Sequence, residues 1–190
     1  MADTASPAAP TLPRRFTWDE VIAMSAAGLF AEGERVELVG GELFVMPEEG
    51  PLHVLALQIM QRWLIRALPG DLELAVRAPL HLPDGTVFIP DLAVYPTGFS
   101  PADMTAANAR LVIEISDTTL NRDQRRKVPK YAEAGVAELW IVDAPGRQIT
   151  SYRDAVAQDW RTMATHAAAG VAPLCAPAAT FSITDLPASP

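Results

Sequence analysis

The sequence has 190 residues, 49% of them hydrophobic and 20% charged, which is the balance of a globular protein rather than a disordered or fibrous one. Its formal net charge of −8 argues against a protein that coats nucleic acid, because such binding depends on cations that neutralise phosphates, but it leaves an enzyme possible. Cys175 is the only cysteine, which excludes a disulfide framework, and no stretch reaches the roughly 18 apolar residues of a membrane span, so we expect a cytoplasmic protein without a membrane segment.

A chain of this length suits one domain with a substantial core, since it buries roughly 70% of its unfolded surface. Residues 1–13 are rich in proline and alanine and predict a disordered tail. We expect residues 14–190 to form a single domain, with a core over about 16–155 and a C-terminal β extension over about 156–190.

The first half of the domain begins with a helix that Thr17 caps and Gly28 ends. The segment "RVELVGGELFVMP" alternates around a Gly-Gly turn and predicts a hairpin, with Glu37 on its first strand. "PLHVLALQIMQRWLIRAL" has a wide apolar helical face and predicts a second helix, with His53 in its first turn.

The second half alternates buried strands with one basic helix. "LELAVRAPLHL" and "VFIPDLAVYP" predict two strands around the turn "PDGT", and "ARLVIEIS" and "AELWIVD" predict central strands. Between the last two, "NRDQRRKVPKYAEAG" predicts a helix that Gly135 ends and that Pro129 is expected to break. "ITSYRD" and "FSITDL" are typical of edge strands. The order predicts an α/β fold with a central mixed β-sheet flanked by helices.

Two acids, Asp91 and Glu114, lie within strands that otherwise have the pattern of buried sheet. A buried carboxylate costs several kcal/mol unless a cation or hydrogen bonds compensate it, so we infer a cation there. Oxygen ligands suit Mg²⁺, with Mn²⁺ as a possible substitute. The alternatives are that Asp91 bonds backbone amides at a strand end and that Glu114 pairs with an arginine.

The chain has 15 basic residues, and only Lys127 and Lys130 among them are lysines. Both lie on the helix that follows the Glu114 strand. A lysine ammonium is a compact charge whose pKa shifts on desolvation, unlike that of arginine, so the pair indicates a chemical role. An ordinary solvated basic face is the alternative.

These segments resemble a known nuclease group. "IPDLAV", then 22 residues between its Asp and the Glu of "LVIEIS", then a basic helix, is similar to the PD-(D/E)XK nuclease superfamily. "ERVELVGGELFVMP", "HLPDGTVFIPDLAVYP" and "LVIEISDTTLNRDQRRKVPKYAEAGVAELWIVD" more closely resemble the Uma-two family of restriction-endonuclease-like bacterial proteins. The resemblance implies a restriction-endonuclease-like core and Mg²⁺-dependent hydrolysis of phosphodiester bonds in DNA.

The resemblance assigns Asp91 and Glu114 as catalytic metal ligands. The usual lysine position, two residues after the glutamate, is Ser116 here, and the pattern "RD…K…Y" moves the lysine to Lys127, with Lys130 as the alternative. Glu37 and His53 also match family positions and are further catalytic candidates, although a strand-edge acid and a helix-start histidine with a local hydrogen bond are ordinary interpretations. Tyr131 is interpreted as core or groove wall.

Three arginines add positive charge to the same helix and are candidates for substrate binding: Arg122, Arg125 and Arg126. They could equally pair with nearby acids in solvent. An acidic single domain would need a homodimer to hold both strands of a duplex, and exposed edge strands could supply the interface. Two other functions remain open, namely a degenerate nuclease fold that acts as a binding or assembly module and a metal phosphoesterase for small esters.

Overall fold

The computed structural model describes residues 12–116 and 120–188. Its α-helices are α1 (Trp18–Ala26), α2 (Pro51–Ala67) and α3 (Leu120–Glu133). Its strands are β1 (Val36–Val39), β2 (Glu42–Val45), β3 (Leu72–Val76), β4 (Leu80–His81), β5 (Val87–Phe88), β6 (Leu92–Pro96), β7 (Leu111–Ser116), β8 (Glu138–Asp143), β9 (Gln148–Val156) and β10 (Asp159–His166). Within these described ranges, no helix is both long and apolar enough to cross a membrane.

The strands form two sheets. The larger has the order β10-β9-β8-β7-β6-β3, and it is mixed because β7 and β8 are parallel while its other neighbours are antiparallel. The smaller has the order β2-β1-β5-β4 and is antiparallel throughout. The predicted α/β fold with a central mixed sheet and flanking helices is confirmed.

Helices cover both faces of the larger sheet. Because successive side chains of a strand point to opposite faces, Ile113 of β7 packs with α2 while Val112 packs with α3. The α2 face is a continuous apolar cluster that includes Met60 and Trp140. The α3 face contains Tyr131 and is the face toward which the even-numbered residues of β7 point.

The predicted start of α1 and the predicted β1–β2 turn are both confirmed. Thr17 accepts from the Glu20 backbone N–H while the Glu20 carboxylate accepts from the Thr17 N–H, so the capping box forms at the start of α1. The β1–β2 turn has Gly40 at φ 55° and Gly41 at φ 83°, the left-handed conformations that this tight hairpin turn requires.

Five expectations were wrong. "ITSYRD" lies in β9, which pairs with β8 and with β10 and is therefore an inner strand, not an edge. The segment 72–82 is two strands in different sheets, separated by Arg77 at φ 53°, and the segment 87–96 is likewise divided, with Pro90 in the gap. "FSITDL" forms one isolated bridge at Phe181 and then a 3-10 turn instead of a strand. The helix α3 runs through Pro129 without ending, so packing of its apolar face outweighs the one backbone hydrogen bond that proline cannot donate.

Candidate active site

Asp91 and Glu114 lie next to each other, Asp91 directly before the start of β6 and Glu114 within the neighbouring strand β7. Leu92 of β6 pairs with Ile113 of β7, and the two acids are the next residues outward from that pair. Asp91 is only 5% exposed, and its Oδ2 accepts a hydrogen bond from the Ile115 backbone N–H at 2.8 Å. The sheet therefore orients the Asp91 carboxylate from the backbone of the adjacent strand.

Lys127 of α3 reaches Glu114 from the face of the larger sheet that α3 covers. Its Nζ lies 3.0 Å from Glu114 Oε1, 3.1 Å from Glu114 Oε2 and 2.7 Å from Glu37 Oε1, and the residue is only 2% exposed. The Phe88 ring lies 5.3 Å from the ammonium. A buried lysine is stable only with such compensation, so Lys127 belongs to the acidic cluster and not to a solvated helix face.

Glu37 brings the smaller sheet into the site. The residue is fully buried on β1, and its Oε1 also accepts from the Ile89 backbone N–H at 3.0 Å. Its Oε2 lies 3.3 Å from Arg126 Nη2. Glu37 thus links the two sheets through Lys127, whose position in sequence is remote from it.

Tyr131 belongs to the site, although the sequence alone indicated only a place in the core or in the wall of a groove. Its hydroxyl donates to Glu114 Oε1 at 2.6 Å, and its ring packs edge-on against Phe88 with 5.1 Å between centroids. The spacing of four residues from Lys127 puts both side chains on one face of α3, and that spacing was the available signal.

The charges of the cluster do not balance. Burial, together with the charges of Asp91 and Glu37, raises the pKa of the Glu114 carboxyl to about 7, against the opposing effect of Lys127. Although burial lowers the pKa of Lys127, the carboxylates of Glu114 and Glu37 outweigh it and raise that pKa above its ordinary value. One ammonium is shared by the fully buried carboxylate of Glu37 and the partly buried carboxylate of Glu114, and these two charges keep Lys127 protonated.

On the other side of Asp91 lies a second group of ligand-type atoms. His53 Nε2 is 3.0 Å from Asp91 Oδ1 and 3.4 Å from Glu49 Oε1. One potential ligand atom from each of Glu49, His53 and Asp91 lies within 4.8 Å of the other two. An imidazole nitrogen and two carboxylates that converge in this way fit a divalent cation. Glu49, four residues before His53, was missed at the sequence level because it precedes α2 in a segment without periodicity.

The remaining predicted residues lie at or beyond the margin of the cluster. Lys130 Nζ is 2.6 Å from Asp84 Oδ2 and 3.3 Å from Glu133 Oε2, so the structure places it with these exposed acids and not with Glu114. Arg125 is exposed, while Arg126 stacks over the Phe44 ring at 4.5 Å. The Arg122 side chain lies outside the described part of the structure.

Comparisons with known proteins give the family of the chain and a solved structure of the same fold. The model of the Uma2 family, described as "Putative restriction endonuclease", matches residues 18–185. The chain belongs to the Uma2 family. Among solved structures, this Uma2 protein is similar to one from Anabaena variabilis ATCC 29413, described as "a putative nuclease belonging to DUF820". The two superpose with a TM-score of 0.70 and 16% sequence identity over 90% of this chain and 97% of that one, which shows a shared fold. No curated protein matches the sequence.

Proposed function

We propose that this Uma2 protein is a divalent-metal-dependent endonuclease that hydrolyses phosphodiester bonds in DNA. One observation carries the proposal: Asp91 lies between a set of converging ligand atoms, from His53 and Glu49, and the ion pair of Glu114 with the buried Lys127. Membership of a nuclease family supports the reaction class.

The residues present fit a hard divalent cation such as Mg²⁺ or Mn²⁺. Asp91 and Glu49 supply converging carboxylate oxygens and His53 supplies one nitrogen, while Glu114 adds a carboxylate on the neighbouring strand. The isolated Cys175 supplies no thiolate set for zinc. Asp91 and Glu114 are the proposed ligands from the sheet, and His53 and Glu49 are further donors beside Asp91. When bound, such a cation lowers the pKa of a water and neutralises charge on a phosphoryl oxygen.

Backbone and side-chain groups of the protein hold the two carboxylates and the lysine in place. The Ile115 N–H fixes one oxygen of Asp91, and the Tyr131 hydroxyl fixes one oxygen of Glu114. Lys127 presents a fixed positive charge, kept protonated by the acids around it, to the excess negative charge of a phosphoryl group under attack. The buried position of this ammonium excludes water and strengthens its field.

The test is cleavage of plasmid DNA with Mg²⁺ or Mn²⁺ by the wild type, Asp91→Asn and Glu114→Gln, with Arg62→Gln as a control. Arg62 bonds the Gln58 carbonyl on the exposed side of α2. We expect both acid variants to lose cleavage and Arg62→Gln to keep it. If the wild type cleaves no duplex, single-stranded or branched DNA, the proposal fails. If the wild type then hydrolyses only bis-p-nitrophenyl phosphate, the result favours a phosphoesterase for small esters. If it hydrolyses neither substrate, the result favours a binding module.

The proposed partner arrangement is a homodimer on duplex DNA. The larger sheet ends at β3 and β10, and most side chains of β10 are exposed, so this edge can pair with a second copy. Light scattering with and without duplex DNA tests this, and a monomer under both conditions would contradict it.

A further inference from the structure

A groove of about 680 Å³ lies beside the candidate cation site. It is lined by residues 31–35, residues 45–49 and Arg77. Glu49 belongs both to this groove and to the cluster with His53 and Asp91. A substrate lying in the groove would therefore contact the same carboxylate that faces the cation site.

Two arginines converge on Glu49 from the groove. Arg35 Nη1 lies 2.6 Å from Glu49 Oε1, and Arg77 Nη2 bonds Glu49 Oε2. The arginine side chains are 31% and 35% exposed, whereas that of Glu49 is 13% exposed. Two guanidinium groups accessible from a groove and fixed on one carboxylate have the geometry that binds the oxygens of a phosphate.

The contact with Glu49 leaves two features of Arg77 unexplained, namely its backbone conformation and its unpaired Nε. The backbone is at φ 53°, a left-handed conformation that arginine rarely adopts. The backbone N–H of this residue donates to the Asp91 carbonyl at 3.2 Å. Its Nε is buried and has no hydrogen-bond partner among the described residues. Strained residues cluster at ligand sites, and a buried donor without an acceptor is stabilised by a ligand that supplies one.

We propose that Arg35 and Arg77 form a subsite for one phosphate group of the substrate backbone, and that Glu49 holds their guanidinium groups until the phosphate replaces it. This inference rests on the proposed function. It assigns substrate binding to residues near β1 and β3, in addition to the arginines of α3. Because Glu49 faces His53, its release from the arginines also leaves it available to the cation site.

The charge of the groove limits the subsite to a single phosphate. Three further acids line it, Glu32, Glu34 and Glu48, and of these Glu34 accepts from the Ala31 backbone N–H at 2.8 Å. Such acids repel a run of phosphates. Each phosphate contact contributes about −0.9 to the slope of log affinity against log salt, so loss of the subsite should make the slope shallower by about one.

The experiment measures binding without hydrolysis, by fluorescence anisotropy of a labelled DNA duplex in EDTA over a series of salt concentrations. The variants are Arg35→Gln and Arg77→Gln, with Arg62→Gln as a matched control and thermal unfolding as a check of folding. We expect each groove variant to bind about tenfold more weakly with a shallower salt slope, and the control to bind like the wild type. Groove variants that bind like Arg62→Gln overturn the subsite, although wild-type cleavage would still support the proposed function.

Glu49→Gln provides a result that a merely structural role would not produce. A neutral amide holds the arginines less strongly, so we expect tighter DNA binding in EDTA, and weaker or unchanged binding would contradict the inference. Inorganic phosphate, followed by phosphorus NMR, separates the two proposals. Arginine-dependent phosphate binding without DNA binding supports the subsite and counts against a DNA substrate, while binding of neither overturns the subsite.

Discussion

The ammonium of Lys127, a residue that is only 2% exposed, faces both carboxylate oxygens of Glu114, at 3.0 and 3.1 Å. The same ammonium also lies 2.7 Å from Glu37, so one cation compensates a fully buried acid and a partly buried one. A buried ion pair of this kind contributes little net stability compared with apolar residues, but removal of one partner leaves an uncompensated charge.

Lys127→Met is therefore expected to lower the free energy of unfolding by about 3–5 kcal/mol, whereas Lys130→Met should lower it by about 1 kcal/mol or less, because its partners are exposed. Chemical denaturation measures both values. We also expect Lys127→Met to reduce DNA cleavage more than Mn²⁺ binding, while Lys130→Met keeps activity. The reverse order of activities would transfer the catalytic role to Lys130.

Asp91 is expected both to stabilise the fold, by accepting from the Ile115 N–H, and to bind the cation, and two substitutions separate these roles. Asp91→Ala removes the acceptor of the buried Ile115 N–H and should cost about 1–3 kcal/mol of stability, while Asp91→Asn keeps an acceptor oxygen in place. Both variants should lose cleavage and most Mn²⁺ affinity. Calorimetry of unfolding and of Mn²⁺ binding tests this, and equal stability of the two variants would show that the backbone bond contributes nothing.

Tyr131→Phe removes the hydroxyl that donates to Glu114 but leaves no cavity in the core, because the ring remains packed against Phe88. Loss of a hydrogen bond to a charged group costs about 1.5–3 kcal/mol. Since the Tyr131 hydroxyl lowers the pKa of Glu114, its removal should raise that pKa further and shift the acid limb of the cleavage profile to higher pH.

Tyr152→Phe is the matched control for this shift. The Tyr152 hydroxyl makes no hydrogen bond within the described residues, and its ring packs beside Trp160. An unchanged pH profile in Tyr131→Phe, or the same shift in Tyr152→Phe, would remove Tyr131 from the site.

Cys175 should react slowly with alkylating agents. Burial, with the charge of Glu138 in addition, raises the pKa of its thiol from the ordinary 9.0 to about 11. The thiolate is the nucleophile, so at pH 8 we expect alkylation by iodoacetamide to be about 100-fold slower than for an unhindered thiol, and still rising above pH 9. The same chain in guanidinium chloride is the control, and equal rates in the folded and unfolded chain would contradict the prediction.

The fold was largely predictable because its signals are local. Alternation, apolar runs, the Thr17 capping box and the Gly-Gly turn each act over a few residues. Three of the errors fell where the chain changes from one sheet to the other, at Arg77 and Pro90, and at Pro129 within α3. At these points contacts with distant residues outweigh local preference.

The sequence by itself predicted that Asp91 and Glu114 need compensation by a cation or by hydrogen bonds, because burial of a carboxylate carries its own energetic cost. Only the tertiary structure decided that Lys127 compensates Glu114, while Asp91 accepts a hydrogen bond from the Ile115 backbone N–H. Lys127 and Lys130 differ by about 60° around a helix of 3.6 residues per turn, and the packing of α3 on the sheet turns Lys127 inward and leaves Lys130 with Asp84. The contributions of Glu49, Tyr131 and Arg77 depend in the same way on contacts between elements far apart in the chain, which no pattern within a single element contains.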